Sequence, residues 1–146
     1  RRLYETMAAY WPTADKDPTA PDYIVEYARI WQSKERIVFS NTLTQLDKSS
    51  RLFSGDIATE ITKLKEQPGK DIIVGGPTLA ATFMRLGLID EYRVYIHPVI
   101  LGGGKPMFGP LDNRIGLRLV ETHTFNSGIV LLKYRAGAIV QDGSAA

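Results

Sequence analysis

Gly75-Gly76-Pro77 stands between a short β-branched run and a stretch of helical spacing. Residues of those types in that order can hold a phosphate. The first turn of a helix exposes N–H groups with no intrahelical acceptor and carries the positive end of the dipole. Glycine lets the backbone approach a pyrophosphate where a Cβ would intrude. A plain tight turn between strand and helix fits the same residues. Neither a full G-x-G-x-x-G fingerprint nor a Walker A motif is present. The run Gly102-Gly103-Gly104-Lys105-Pro106 lacks the spacing and the Ser/Thr of a P-loop.

Arg1-Arg2 opens a helical pattern. Two cations there oppose the helix dipole, at about 0.3–1 kcal/mol each. A bound anion would remove the conflict, and a guanidinium can donate two parallel hydrogen bonds to it. A solvated chain end is the other reading. Ser40-Asn41-Thr42 follows an apolar run directly, so its hydroxyl and amide groups can meet phosphate oxygens or cap a loop. His97 and His123 are the only histidines, with no partner at metal-ligand spacing. Asp90-Glu91 follows a helix-ending glycine and reads as a turn rather than an acid–base pair. No Ser-His-Asp spacing or nucleophile elbow appears.

The elements that must position these residues follow from periodicity. Leu3, Met7, Tyr10 and Trp11 predict a first helix ended by Trp11-Pro12. A proline-rich loop fills 12–22, and Ile24, Tyr27, Ala28 and Trp31 mark a second helix. Residues 36–40 predict a strand, Leu52-Phe53 a further short one, and Ile57, Ile61 and Leu64 a third helix closed by Pro68-Gly69. Residues 71–74, Asp-Ile-Ile-Val, predict a strand buried on both faces. Pro77 then sits at the first position of a fourth helix, with Gly87 just past its end. A strand over 92–101 follows, then two strands, 117–125 and 129–135, around Asn126-Ser127-Gly128 as a hairpin. Alternation first and antiparallel strands last predict an α/β protein with a mixed sheet.

The 146 residues suit one domain with a sizeable core. There is no cysteine, which removes disulfides and thiolate chemistry from this chain and fits a reducing compartment. The formal charge is only +2 and the charges are interleaved, so no nucleic-acid stripe is expected. No apolar run is long enough for a membrane helix. The expected location is cytoplasmic.

Taken together, the runs RRLYETMAAYWP at 1–12, IVFSNTL at 37–43, GKDIIVGGPTLAATFMRLGLIDEYRVYIHPVILGGGKPMF at 69–108 and GIVLLKYR at 128–135 resemble the dihydrofolate-reductase-like superfamily. The similar branch is the reductase domain of the riboflavin-biosynthesis deaminase-reductase and its stand-alone bacterial relatives. The resemblance implies a three-layer α/β/α sandwich, with a mostly parallel sheet and a C-terminal antiparallel hairpin. It implies NADPH as hydride donor and a homodimer. Arg1, Arg2 and Leu3 would then lie where the opening helix meets the cofactor phosphates, with Leu3 in place of a common phosphate-binding threonine. Ser40, Asn41 and Thr42 would lie beside the adenosine 2′-phosphate. Gly75, Gly76, Pro77, Thr78 and Leu79 would lie under the pyrophosphate, and Val74 near the nicotinamide. Met7 and Trp11 would face the substrate. The implied reaction is reduction of 5-amino-6-(5-phosphoribosylamino)uracil or a related small heterocycle. Dihydrofolate reduction and a non-catalytic, nucleotide-binding dimeric module are the alternatives. The family's first strand and Asp-Gly loop are not in this sequence, so residues are expected upstream. The zinc deaminase half, with its His-x-Glu and Cys-x-x-Cys pattern, is not in it either.

Overall fold

A computed structural model describes residues 1–111 and 113–140, with side chains through residue 137. The chain divides into two compact units, Arg1–Asp56 and Ile57 onward.

The first unit opens with helix α1, Arg2–Tyr10. Trp11 still holds helical angles and donates its N–H to Met7 O at 3.0 Å, but Pro12 has no N–H with which to continue the ladder. A 3₁₀ turn, Ala14–Lys16, leads to helix α2, Asp22–Ser33. Asp22 in the first turn of α2 complements its dipole. Ala28 on α2 is fully buried, and Ala14 and Val38 are nearly so. Strands β1, Arg36–Phe39, and β2, Ser50–Phe53, pair in parallel with Arg36 opposite Ser50 and Phe39 opposite Phe53.

The second unit holds helix α3, Ile57–Lys65, helix α4, Pro77–Arg85, and strands β3, Glu91–Ile96, β4, Arg114–Thr124, and β5, Val130–Val140. The strands form an antiparallel sheet in the order β3-β5-β4. The β4–β5 turn closes with Phe125 N–H to Ile129 O at 2.8 Å and Gly128 N–H to Phe125 O at 2.9 Å, with Gly128 at φ 81°. That is the left-handed glycine expected of a short hairpin loop. Among the described side chains of this unit, Ile61, Phe83, Met84 and Tyr92 are buried and apolar.

Two expectations need correcting. Residues 71–74 join no ladder, and Ile73 is 87% exposed rather than buried on both faces. β-Branched content shows what a segment can bury. It cannot show whether a neighbouring strand offers free N–H and C=O groups. The strand expected over 92–101 stops at Ile96, so His97 lies beyond it. Pro98 has no N–H for a ladder, and the next N–H, on Val99, turns back to His97 O at 2.8 Å. Among the described residues, β1 and β2 pair in parallel and the sheet of the second unit is antiparallel, the mixture of pairings expected of the α/β fold.

Candidate cofactor-binding site

In the first unit, Arg1 and the segment after β1 meet. Arg1 Nη1 donates to Thr42 Oγ1 at 2.9 Å, and its Nε donates to Glu5 Oε1 at 2.8 Å. Ser40 Oγ accepts the N–H groups of Thr42 at 3.2 Å and Leu43 at 3.1 Å. Capping its own loop is therefore one task of Ser40. The hydroxyl proton is left over to donate, because a hydroxyl offers two acceptor sites and one donor. Asn41 is exposed at the tip of this turn. The Arg2 guanidinium is exposed and has no hydrogen-bond or ion-pair partner among the described residues. Leu3, 47% exposed, offers no polar atom from its side chain. Met7 and Trp11 touch each other, Trp11 Nε1 lying 3.1 Å from Met7 Sδ. The indole also packs on Tyr27, with ring centroids 4.4 Å apart. Both side chains are half-buried, so one edge of this aromatic group faces outward.

In the second unit, the glycine turn opens α4. Gly76 is the N-cap at φ 93° and ψ 130°, a backbone region that side-chain-bearing residues rarely adopt. Ala80 N–H already bonds Gly76 O at 3.0 Å. No side chain caps the helix, and Pro77 has no N–H to satisfy. The amides of Thr78 and Leu79 therefore have no intrahelical acceptor. Gly75 is exposed, and Val74 half-buried, on the approach to this turn. At the other end of α4, Gly87 N–H bonds Met84 O at 3.1 Å and Leu88 N–H bonds Phe83 O at 2.9 Å, with Gly87 at φ 65°. This Schellman arrangement stops the helix after the turn that Pro77 begins.

Each unit by itself presents hydrogen-bond donors of the kind an anion takes. One offers a guanidinium on the Thr42 hydroxyl, with the Ser40 hydroxyl in the same turn, and the other two amides with no acceptor among the described residues behind a glycine. Among the described residues no group of three His, Asp or Glu side chains is placed to hold a metal ion, and no helix is long and apolar enough to cross a membrane. Asp90 and Glu91 serve ion pairs. Asp90 Oδ2 lies 2.6 Å from Lys65 Nζ, and Glu91 meets Arg93 at 2.7 Å and Lys133 at 3.4 Å. The Arg93 hydrogen bond leads the causes that hold the Glu91 carboxyl below its usual range. His123 stands edge-on to Phe125 at 4.5 Å.

Residues 2–131 match the family described as the RibD C-terminal domain, in one stretch running through both units. The chain belongs to that family. It is 41% identical over 135 residues to the uncharacterized protein YyaP of Bacillus subtilis strain 168, covering 92% of this chain and 70% of that protein. It is 34% identical over 108 residues to the uncharacterized protein YwjB of the same organism, covering 73% of this chain and 62% of the other. A crystal structure at 2.12 Å resolution, of a Shewanella sp. PV-4 protein provisionally named for riboflavin biosynthesis, superposes with a TM-score of 0.65. That match is 21% identical and covers 80% of this chain and 71% of the other, so it shows the fold. The RibD C-terminal domain family is of the riboflavin-pathway, reductase-like type, and its fold is the dihydrofolate-reductase-like α/β fold.

Sequence reasoning missed a polar lock in the first unit of this RibD C-terminal domain. Arg36, on β1, donates to Ser50 Oγ at 3.1 Å, to Lys34 O at 2.8 Å, to Asp47 Oδ1 at 2.9 Å and to Trp31 O. Its guanidinium also sits 4.3 Å over the Trp31 ring. Tyr4 Oη accepts from Asp47 N–H at 2.9 Å. The only sequence signal was an arginine opening a strand just after a helix that ends near a tryptophan.

Burial raises the Asp47 carboxyl. Hydrogen bonds from Arg36 and Ser50, the Arg36 charge and the Ser49 amide outweigh it, so the net value is lowered. The folded value lies below the unfolded one. Its stabilisation is therefore full above the ordinary carboxylate range, about pH 4, and is lost as pH falls through the lower folded value. Urea unfolding at pH 7 and below pH 4 should show the parent losing more stability on acidification than Asp47→Asn. Equal losses would mean that the carboxylate is not held in this way.

Proposed function

We propose that this protein is an NADPH-dependent reductase that passes hydride to a small heterocyclic substrate of the riboflavin-pathway type, 5-amino-6-(5-phosphoribosylamino)uracil or a close relative. The observation that carries the reading is the uncapped start of α4 behind Gly76 at φ 93°. Backbone amides there can take a pyrophosphate without first releasing a side-chain cap. Family membership supports the same assignment.

NADPH when bound supplies the hydride, so the protein's part is position and electrostatics. The amides of Thr78 and Leu79 would bind the pyrophosphate, with Gly75, Gly76 and Pro77 giving it room. Arg1 and Arg2 would neutralise phosphate charge, and Ser40, Asn41 and Thr42 would orient the adenosine 2′-phosphate. Val74 would abut the nicotinamide. Met7 and Trp11 would form an apolar wall that excludes water from the substrate, the Trp11 indole held by Met7 and Tyr27.

The test is calorimetric titration of the full-length protein with NADPH. One-to-one binding is expected. Arg2→Ala should weaken it about tenfold, the scale of one charge-assisted hydrogen bond, because this guanidinium has no partner among the described residues to lose. No measurable heat across micromolar to millimolar NADPH would overturn the reading.

A further inference from the structure

Parallel strands are usually joined by a long crossover that carries a helix. β1 and β2 are joined instead by residues 40–49, an irregular loop. A free loop of that kind samples many shapes. This one is fastened to α1 at two points about one turn apart. At the first, Arg1 Nη1 donates to Thr42 Oγ1 at 2.9 Å. At the second, the Tyr4 hydroxyl accepts from Asp47 N–H at 2.9 Å and donates to Asp47 Oδ2 at 3.4 Å.

Asp47 is held from the strand side as well. Its Oδ1 accepts from Arg36 Nη2 at 2.9 Å and from Ser49 N–H at 2.9 Å. Its carbonyl accepts from Ser50 N–H at 3.1 Å. The Tyr4 phenol therefore connects a locked loop base to α1. Residues three apart on a helix share a face. Fixing Tyr4 fixes the rotation of α1, and with it where Arg1 meets Thr42. Without that connection Arg1 still has Glu5 at 2.8 Å, a carboxylate that competes with any anion for the guanidinium.

We infer that Tyr4 is a positioning residue for recognition of a phosphate monoester, holding the Arg1 guanidinium and the Ser40 and Thr42 hydroxyls at a spacing that fits the 2′-phosphate of the dinucleotide. This rests on the reading of residues 40–42 as the 2′-phosphate seat. Tyr4 touches neither cofactor nor substrate in this scheme. It sets the angle of a planar donor whose paired hydrogen bonds tolerate little misplacement.

Full-length parent and Tyr4→Phe are titrated with NADPH and with NADH. The preference for NADPH should fall about tenfold in the variant, the scale of one charge-assisted hydrogen bond. The change should lie wholly in weaker NADPH binding, because NADH has no 2′-phosphate to misplace. A merely structural tyrosine would weaken both dinucleotides together. In a Thr42→Ala background, Tyr4→Phe should change the preference no further. If Tyr4→Phe does not fold, Asp47→Asn takes the carboxylate from the Tyr4 hydroxyl, leaves the N–H that the phenol accepts, and should lower the preference in the same direction by a smaller factor. Equal weakening of both dinucleotides, or an unchanged preference in a folded variant, overturns the inference and leaves the reductase reading standing. A parent that binds NADH as tightly as NADPH removes the 2′-phosphate seat itself, and the inference falls with it.

Discussion

Gly76→Val should lower NADPH affinity about a hundredfold, close to 2.7 kcal/mol, in a protein that still folds. Gly76 combines φ 93° with ψ 130°, outside the regions open to residues with a Cβ. A non-glycine residue held there costs about 1–3 kcal/mol. Valine is worse than alanine because both of its γ-carbons restrict the backbone and fill the space before the α4 amides. The chain has two ways out of that strain. It can keep the turn and lose stability, or rotate the peptide before Pro77 and aim the Thr78 and Leu79 amides elsewhere. The first leaves the valine side chain in the space before the amides and the second turns the amides away, so an incoming pyrophosphate loses its seat by either route.

The two escapes separate by measurement. Calorimetry gives the affinity, and thermal unfolding gives the strain. Gly76→Ala should show a smaller loss of affinity with a similar direction in stability, since it shares the φ penalty and lacks the branch. An unchanged NADPH affinity in Gly76→Val would show that the backbone at this turn does not approach the ligand. The pyrophosphate would then have to be placed elsewhere.

Why that turn could be read from sequence, when its neighbour could not, is a matter of range. Pro77 at the first helical position and Gly87 past the last act within one turn of themselves, so residue type alone announces them. The hairpin glycine, Gly128, is equally local. The 71–74 run failed because strand formation depends on a partner's free backbone groups, and composition does not encode a partner. Ser40 shows an intermediate case. A hydroxyl after a strand can cap its own loop or meet a ligand, and the structure gives it the first task without removing its donor for the second. Arg36 and Asp47 were not readable as a pair. They sit eleven residues apart across a loop, and nothing in their spacing suggests a meeting.

That pair carries the largest expected loss of stability. Arg36→Ala should destabilise folding by about 3 kcal/mol, the lower edge of what breaking a buried ion pair costs, because this half-buried pair is backed by three further contacts of the same guanidinium. The Arg36 side chain is 15% exposed and that of Asp47 26%, so solvent compensates only in part. Three losses add up. The carbonyls of Trp31 and Lys34 at the end of α2 lose the donor that satisfied them. The Trp31 ring loses the cation above its face. Asp47 keeps its burial and loses its counter-charge. For a chain of this size, 3 kcal/mol lowers the unfolding midpoint by roughly 6–12 °C. Arg36→Lys should fall between, because an ammonium keeps the charge but not the fork that reaches Ser50, Asp47 and the α2 carbonyls together. The pH dependence distinguishes this account from simple loss of packing. With Arg36 gone, Asp47 loses two of the causes that lower it, so its folded value rises toward the ordinary carboxylate range and protonation costs the variant less than it costs the parent. The stability gap between them should narrow as pH falls through the carboxylate range. A gap that stays constant with pH would trace the loss to packing alone and leave Asp47 out of it.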